Sequence, residues 1–404
     1  MSQTAPSPQK RLFLLAFLVL FTVIACLIAS ELLLRATRRI APPAKVRLYR
    51  ENPNGTGSYR LIPDIDTTTR AGGRTIRVRT NALGMGWRPV RVPKPPNVRR
   101  IAFVGDSFTF GIWADSAEKS FVGIFDSIVS PQGHEILNFG VPGYGMGDVL
   151  LQVEEDVLPF RPDDVILVFY TGNDFVDTFL GIDKFNVVDG VVKIDEAVVR
   201  AKVPSAFREG SALRKKRSGT FRRMKTWVKR RSELYKFISG MRVPSIRTDF
   251  RVNPNFLSRT FWCQKTYPPV GDEAVHVTLK TLDAIADLCA RHGIRLLIAA
   301  MPIKDQVYSE TEHGADFDIY RPQHFVEEFA GKRGIPFLDL LPAMRRDAKL
   351  TRRRFYVPKE VHLNNEGHEV AGKTLAAWYE NLRKGDRSRA VGEPSAGRAR
   401  RRGP

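Results

Sequence analysis

Cysteine and histidine are scarce in this chain, which has three Cys and seven His among 404 residues. Three cysteines cannot hold together a small disulfide-rich fold. Five of the histidines are scattered without the short spacings that bind a metal ion: His134, His276, His292, His313 and His324. The hydrophobic share of 43% excludes a disordered or collagen-like chain. We therefore expect an ordinary globular protein with no metal site and no cofactor.

Acidic residues are also few, with 43 Asp and Glu against 64 Lys and Arg, and the formal net charge is +21. An excess of this size indicates an anionic partner, which could be nucleic acid, anionic lipid or acidic polysaccharide. Composition does not choose among these partners, but the position of the charges along the chain does.

One long stretch of the chain lacks charge, from Leu12 to Ser30. At 1.5 Å per residue it covers roughly 28 Å, about the thickness of a bilayer core. The apolar run continues past Cys26 to Leu34, whereas a mature lipoprotein would turn polar there and a cleavable signal would be shorter. The sequence predicts an uncleaved transmembrane signal anchor over residues 12–34. A lipoprotein and a cleaved signal remain as alternatives.

The orientation of this anchor is not fixed by its flanks, because basic residues stand on both sides of it. Lys10 and Arg11 precede the run, and Arg35, Arg38 and Arg39 follow it. Large domains after a single anchor are usually exported, largely regardless of charge. We expect a single-pass membrane protein with residues 1–11 in the cytoplasm and the rest on the periplasmic or extracytoplasmic side. Nucleic acid is then not an expected partner.

The central part of the chain alternates short apolar runs with helical patterns. Five runs read as strands: 101–104, 135–141, 164–171, 294–301 and 335–340. Helical patterns fall near 117–130, 146–158, 272–292, 319–333 and 364–383. Continuous apolar strands are typical of a parallel sheet covered on both faces by helices. The pattern predicts a three-layer α/β/α domain over 101–384, with a doubly wound parallel five-stranded sheet.

Three further segments lie outside this alternation. Residues 45–100 are rich in Arg, Thr, Gly and Pro, with a strand-like stretch at Thr75–Thr80, and read as a small β-rich lead-in. Residues 180–265 form an insertion that is strongly basic over 200–251, where 17 Lys and Arg face three acidic residues. The tail 385–404 has the composition of a disordered basic segment.

The basic insertion has three interpretations. Apolar residues at near-helical spacing between the charges indicate a basic amphipathic helix, which is typical of membrane-surface binding. The same pattern fits a lid helix with a solvated basic face, or a groove for an anionic polysaccharide. The residues leave all three interpretations open.

Four short motifs follow the strands in a fixed order. They are Gly105-Asp106-Ser107, then the stretch Asn138 to Gly145, then Gly172-Asn173-Asp174, and finally the stretch Glu360 to Asn364. In open α/β sheets ligands bind beyond the carboxyl ends of the strands, where the first three motifs fall. Over about 101–372 the chain resembles the SGNH (GDSL-like) hydrolase superfamily. The stretch Thr80-Asn81-Ala82-Leu83-Gly84, ahead of the first strand, also resembles membrane-anchored bacterial members with a short β-rich prelude.

The resemblance implies a role for each motif. Ser107 would be the nucleophile and His362 the base that it needs, since a serine hydroxyl is a poor nucleophile by itself. A tetrahedral oxyanion requires preorganised donors, and the resemblance assigns these to the amides of Ser107 and Gly140 and to the side chain of Asn173. Asp106 and Asp174 beside the site are interpreted as structural hydrogen-bonding groups.

The third member of the triad departs from the family pattern. The family usually has Asp three residues before the histidine, and here that position is Lys359. The nearest carboxylate is Glu360, two residues before His362, which we expect to orient the imidazole. The alternative is a Ser–His dyad, because oxyanion stabilisation survives loss of the acid.

Two more features of the C-terminal half have plain structural interpretations. His368, six residues after His362, reads as a helix-packing or capping residue. Cys263 and Cys289 could pair outside the cytoplasm, although nothing in the sequence requires it.

These observations predict a membrane-anchored serine esterase that acts on O-acyl esters of cell-surface or exported polysaccharide. The expected acyl group is acetyl. The same acyl-serine could serve an O-acyltransferase. A lipid esterase or lysophospholipase is also compatible with the motifs, and so is a non-catalytic scaffold that binds polysaccharide or lipid.

Overall fold

The computed structural model describes residues 8–37, 46–55, 58–71, 74–188, 191–205, 232, 253–358 and 360–392. The chain forms two compact units, one of Met1–Ala44 with Ala212–Ser245 and one of Lys45–Ser211 with Ile246–Pro404. Most of the basic stretch 200–251 lies outside the described residues, so its three interpretations stay predictions.

The N-terminal helix α1 runs from Pro8 to Thr37. Within it, the 21 residues Phe13–Leu33 have a mean hydropathy of 2.8 and are long and apolar enough to cross a membrane. A membrane anchor and a signal sequence both satisfy this description.

The lead-in contains two small antiparallel hairpins. Strand β1 (Tyr49–Glu51) pairs with β2 (Tyr59–Leu61). Strand β3 (Asp66–Ala71) pairs with β4 (Arg74–Arg79), and this second pair has the register Thr69 opposite Ile76. The lead-in belongs to the same compact unit as the α/β domain.

A parallel five-stranded sheet forms the centre of the second unit, as predicted. Its strands are β5 (Arg99–Gly105), β6 (His134–Asn138), β7 (Asp164–Tyr170), β10 (Arg295–Met301) and β11 (Phe337–Asp339). The order across the sheet is β11-β10-β7-β5-β6, and every neighbouring pair is parallel. The short hairpin of β8 (Phe185–Val188) and β9 (Val191–Ile194) stands apart from it.

Helices cover both faces of this sheet. They are α2 (Ser107–Phe110), α3 (Phe121–Val129), α4 (Met146–Gln152), α5 (Asp174–Leu180), α6 (Glu196–Lys202), α7 (Pro269–Arg291), α8 (Lys304–Tyr308), α9 (Arg321–Lys332), α10 (Leu341–Thr351) and α11 (Asn365–Gly392). Successive strand residues point to opposite faces: Ala102 and Val104 enter one core cluster, and Ile101 and Phe103 enter the other. This alternation explains why the strands read as continuous apolar runs.

Two features of the helices differ from the sequence-based expectation. The sequence pattern does not reveal helix α10, because its charged residues obscure the apolar face of Leu341, Met344 and Ala348 that packs on the core. Helix α11 continues to Gly392, eight residues into the tail predicted to be disordered. Residues 393–404 lie outside the described part of the chain.

Candidate active site

Ser107 stands at the carboxyl end of β5, at the first position of helix α2. The side chain of Asp106 caps this helix, since its Oδ1 accepts a 2.8 Å hydrogen bond from the amide of Phe108. Gly105 has a φ of 148°, and a Cβ there would approach the carbonyl oxygen of Val168 to 2.8 Å. The sharp turn from strand to helix therefore depends on glycine and presents Ser107 at the edge of the sheet.

His362 reaches this serine from a site 255 residues further along the chain. The Oγ of Ser107 lies 2.9 Å from Nε2 of His362. The loop that carries the histidine is closed by a 3.0 Å hydrogen bond from the amide of Val357 to the carbonyl of His362. The ring of Phe108 packs against the imidazole at 5.1 Å between centroids. The two residues predicted to be nucleophile and base are thus in hydrogen-bonding contact.

The environment of His362 keeps its imidazole neutral. Burial, followed by the positive charge of Arg259 and by the nearby His368, lowers the pKa of His362 to about 3. A neutral imidazole whose Nε2 accepts the serine proton must carry its own proton on Nδ1. Among the described residues, none accepts a hydrogen bond from this buried Nδ1.

Glu360 does not make the contact that the sequence predicts for it. Its amide donates to the carbonyl of Val357 at 3.1 Å, and no described hydrogen bond joins its carboxylate to His362. An offset of two residues in the sequence does not specify where a side chain in a turn is directed. The observed geometry is that of a Ser–His dyad.

The amide of Gly140, a predicted oxyanion donor, is already engaged in this structure. It donates a 2.9 Å hydrogen bond to Oδ1 of Asn138. The absence of a side chain at Gly140 is nevertheless required, because a Cβ would collide with the backbone of Thr109 and Phe110. Gly140 therefore lies directly against the helix of Ser107. To donate to an oxyanion, this amide would have to leave Oδ1 of Asn138 or share its proton between the two acceptors.

Each of the other two predicted oxyanion donors has an N–H group that donates to none of the described residues. The amide of Ser107 donates to none of the described residues. The Nδ2 of Asn173 donates one bond, of 2.5 Å, to Oδ2 of Asp177, and an amide nitrogen carries a second proton. Sequence reasoning misses Asp177. Its position four residues after Asn173, one helical turn away, was the available signal.

Three buried carboxyl groups stand behind these residues. Burial raises the pKa of Asp106 to about 7, and also that of Asp177 to about 7. Burial and the neighbouring Asp106 raise the pKa of Asp174 well above its usual value. Asp174 accepts a 2.7 Å hydrogen bond from the amide of Tyr170. Asp106 and Asp174 therefore act as structural hydrogen-bonding groups, as interpreted from the sequence.

The remaining predictions concern His368 and the cysteines. His368 is fully buried in helix α11, and its Nδ1 accepts a 3.2 Å hydrogen bond from the amide of Phe121, so it is a packing residue. Cys263 and Cys289 are both free thiols. Among the described residues, no cluster of three His, Cys, Asp or Glu side chains could hold a metal ion.

A sequence comparison decides the family. The model of the GDSL-like Lipase/Acylhydrolase family matches residues 103–370, a range that includes Ser107, Gly140, Asn173 and His362. The chain belongs to this family. Its members hydrolyse esters, and the chain is accordingly an ester-acting hydrolase with the α/β/α fold described above. Comparison with the sequences of curated proteins gives no match.

Solved structures of similar fold share little sequence with this chain. A two-domain esterase active on acetylated mannans is 11% identical over 71% of this chain, with a TM-score of 0.39; the chain spans 50% of its length. The lipase/acylhydrolase from Enterococcus faecalis is 13% identical, over 69% of this chain and 94% of its own, with a TM-score of 0.35. An acetyl-xylooligosaccharide esterase from Geobacillus, solved in a mutant form, is 12% identical, over 69% and 93%, with a TM-score of 0.37.

Proposed function

We propose that the protein is a membrane-anchored serine esterase. It cleaves O-acyl esters of cell-surface or exported polysaccharide, and O-acetyl esters are the expected substrates. The 2.9 Å contact between Oγ of Ser107 and Nε2 of His362 supports the proposal most directly. A nucleophile and a base within hydrogen-bond reach are the diagnostic arrangement for covalent catalysis. The helix Phe13–Leu33 would hold the domain at the membrane, within reach of surface polymers, on the periplasmic or extracytoplasmic side.

The proposed reaction has two halves that share one base. Oγ of Ser107 attacks the ester carbonyl while its proton passes to Nε2 of His362. The tetrahedral oxyanion is held by the amide of Ser107 and the free N–H of Asn173, with Gly140 adjoining. Collapse breaks the ester C–O bond, and His362 returns the proton to the departing sugar oxygen, which leaves as a hydroxyl group. Water, activated by the same imidazole, then releases the acid and restores the serine.

The test uses the full-length chain in detergent with p-nitrophenyl acetate, a fluorophosphonate probe and an O-acetylated polysaccharide. We expect p-nitrophenol release, covalent labelling and release of free acetate, all lost in Ser107→Ala. The matched control is Ser127→Ala, which removes an exposed hydroxyl on α3 and should leave all three readouts unchanged.

The outcomes separate the parts of the proposal. A folded wild-type chain that neither labels nor turns over p-nitrophenyl acetate contradicts the serine-esterase mechanism. Labelling with turnover of the small ester and none of the polysaccharide contradicts the substrate. Acetyl transfer to a sugar hydroxyl in place of acetate release identifies an O-acyltransferase.

A further inference from the structure

A pocket of about 260 Å³ lies between the lead-in and the loop that follows the helix of Ser107. It is lined mainly by apolar side chains from the two sides: Val46, Leu48, Ile76 and Val78 from the lead-in, and Phe110, Ile112, Trp113, Ala114 and Ala117 from the loop. The lead-in wall precedes residue 103, where the family match begins. This part of the pocket is therefore a feature of this chain and not of the matched family region.

The lead-in hairpin turns one apolar face toward the pocket. Thr69 pairs with Ile76 across the two strands, so both side chains lie on one face. The neighbouring residue Thr68 lies on the opposite face, opposite Arg77. Arg77 forms a two-bond ion pair with Asp66, at 2.8 and 2.6 Å. Arg77 and Arg79 also line the pocket, and Arg79 pairs with Glu118 at 3.0 Å. The rest of the lining is mainly aliphatic and aromatic.

The pocket shares one wall residue, Phe110, with the helix that begins at Ser107. Phe110 is three residues after Ser107 in helix α2, about 4.5 Å along the helix axis, and its backbone lies against Gly140. The loop also reaches the histidine side of the site. The amide of Arg77 donates to the carbonyl of Asp115 at 2.9 Å, and the carboxylate of Asp115 accepts a 2.5 Å bond from Asn365, three residues after His362.

Size and chemistry narrow the possible ligand. The pocket is larger than the cavity of about 150 Å³ that holds a benzene molecule. It is smaller than the roughly 300 Å³ at which sites for drug-sized ligands begin. Most of this lining offers no hydrogen-bond partner to the hydroxyl groups of a sugar ring, and burying a hydroxyl group without a partner is unfavourable. A flexible aliphatic chain has no such groups to satisfy.

We propose that this pocket receives the acyl chain of ester substrates longer than acetyl, with the lead-in hairpin as one wall of the acyl site. The proposal rests on the proposed function, because the chain must be attached to the carbonyl that Ser107 attacks. It makes the lead-in a determinant of acyl-chain length.

The experiment compares p-nitrophenyl acetate with p-nitrophenyl octanoate on the full-length chain. We expect the wild type to have a kcat/KM for octanoate at least equal to that for acetate. In Thr69→Trp, an indole fills the pocket from the lead-in side, and kcat/KM for octanoate should fall about tenfold or more while that for acetate is retained. Thr68→Trp places the same side chain on the other face of the hairpin and should keep both activities.

Each result bears on one proposal. A wild type inactive on both esters overturns the proposed function. A wild type that hydrolyses acetate but uses octanoate less efficiently overturns the acyl pocket alone, whichever variants fold. Val78→Phe is a second variant that fills the pocket. If Thr69→Trp and Val78→Phe both keep wild-type thermal stability and each loses the two activities equally, the acyl pocket is also overturned, because filling the pocket should spare the acetyl ester.

Discussion

At the scale of single residues, the hydroxyl of Ser107 has two acceptors within reach. Nε2 of His362 is at 2.9 Å, and Oδ2 of Asp106 is at 3.4 Å. Burial raises the pKa of Asp106 to about 7 and lowers that of His362 to about 3, so burial favours the neutral form of both. We propose that His362 is the base, because it lies at the shorter distance. Its Nδ1 has no described acceptor, and we infer that the protein works as a Ser–His dyad.

The dyad predicts a small effect for the loss of the Glu360 carboxylate. In a triad, replacing the acid by its amide lowers kcat by about 10⁴-fold. Here we expect Glu360→Gln to lower kcat/KM on p-nitrophenyl acetate by less than about tenfold, because no contact with His362 is lost. His362→Gln should abolish turnover.

The control for this measurement is Glu366→Gln, an exposed carboxylate near the start of α11. A loss of about 10³-fold or more in Glu360→Gln alone, approaching that of a triad acid, would show that its carboxylate turns to Nδ1 of His362 during catalysis, and would restore the triad.

At the scale of secondary-structure elements, the strand ends carry most of the polar chemistry. Asp339 closes β11, and its carboxylate accepts a 2.9 Å hydrogen bond from the amide of Leu341 at the start of α10. Burial, together with the charge of Glu327, raises the pKa of Asp339 to about 7. Folding is therefore opposed by ionisation of this carboxyl at alkaline pH.

The raised pKa of Asp339 predicts how the stability of Asp339→Asn depends on pH. Between the ordinary Asp pKa and pH 7, Asp339 keeps a proton in the folded state that it has lost in the unfolded state. Its contribution to the free energy of unfolding therefore falls as the pH rises through this range. Asparagine keeps a hydrogen-bond acceptor and cannot ionise. We expect the variant to gain roughly 1–2 kcal/mol in the free energy of unfolding at pH 8, and the gain to shrink as the pH is lowered toward 4.

Thermal unfolding at several pH values measures this difference. Asp316→Asn, at an exposed position, is the control and should show no such trend. A variant less stable than wild type at pH 8 would mean that the charged form of Asp339 is required by the cap of α10.

At the scale of the whole molecule, the N-terminal helix and the catalytic unit are separate parts of the chain. Ser107, Asn173 and His362 all fall in the unit of Lys45–Ser211 with Ile246–Pro404. The apolar helical stretch Phe13–Leu33 belongs to the other compact unit. Activity on small esters and attachment to the membrane are thus expected to be separable.

A chain that starts at Val46 tests this separation. We expect the full-length protein to sediment with membranes and to need detergent for release, because a span of about 20 apolar residues holds a protein in the bilayer. The shortened chain should stay in the supernatant with unchanged kcat/KM on p-nitrophenyl acetate. The intact mass of the mature full-length chain is the second measurement, since a mass lacking the residues before Cys26 would contradict an uncleaved anchor and favour a lipoprotein.

The sequence by itself determined the class of fold and led to the proposed reacting residues. Five apolar runs separated by helical patterns require a covered parallel sheet, because both faces of each strand must be buried. Three motifs at the ends of those runs must then meet at one edge of the sheet. The structure accordingly places Ser107, Gly140 and Asn173 at that edge.

Only the tertiary structure decided how these residues use their hydrogen bonds. The surroundings of Nδ1 of His362, the acceptor of the Gly140 amide and the bond from Asn173 to Asp177 depend on the directions of loops that the fold closes. A hydrogen bond is lost within a few tenths of an ångström or a few tens of degrees, which is finer than any residue spacing can encode. The pocket at Thr69 has the same origin, since it forms where the lead-in packs on the loop after Ser107.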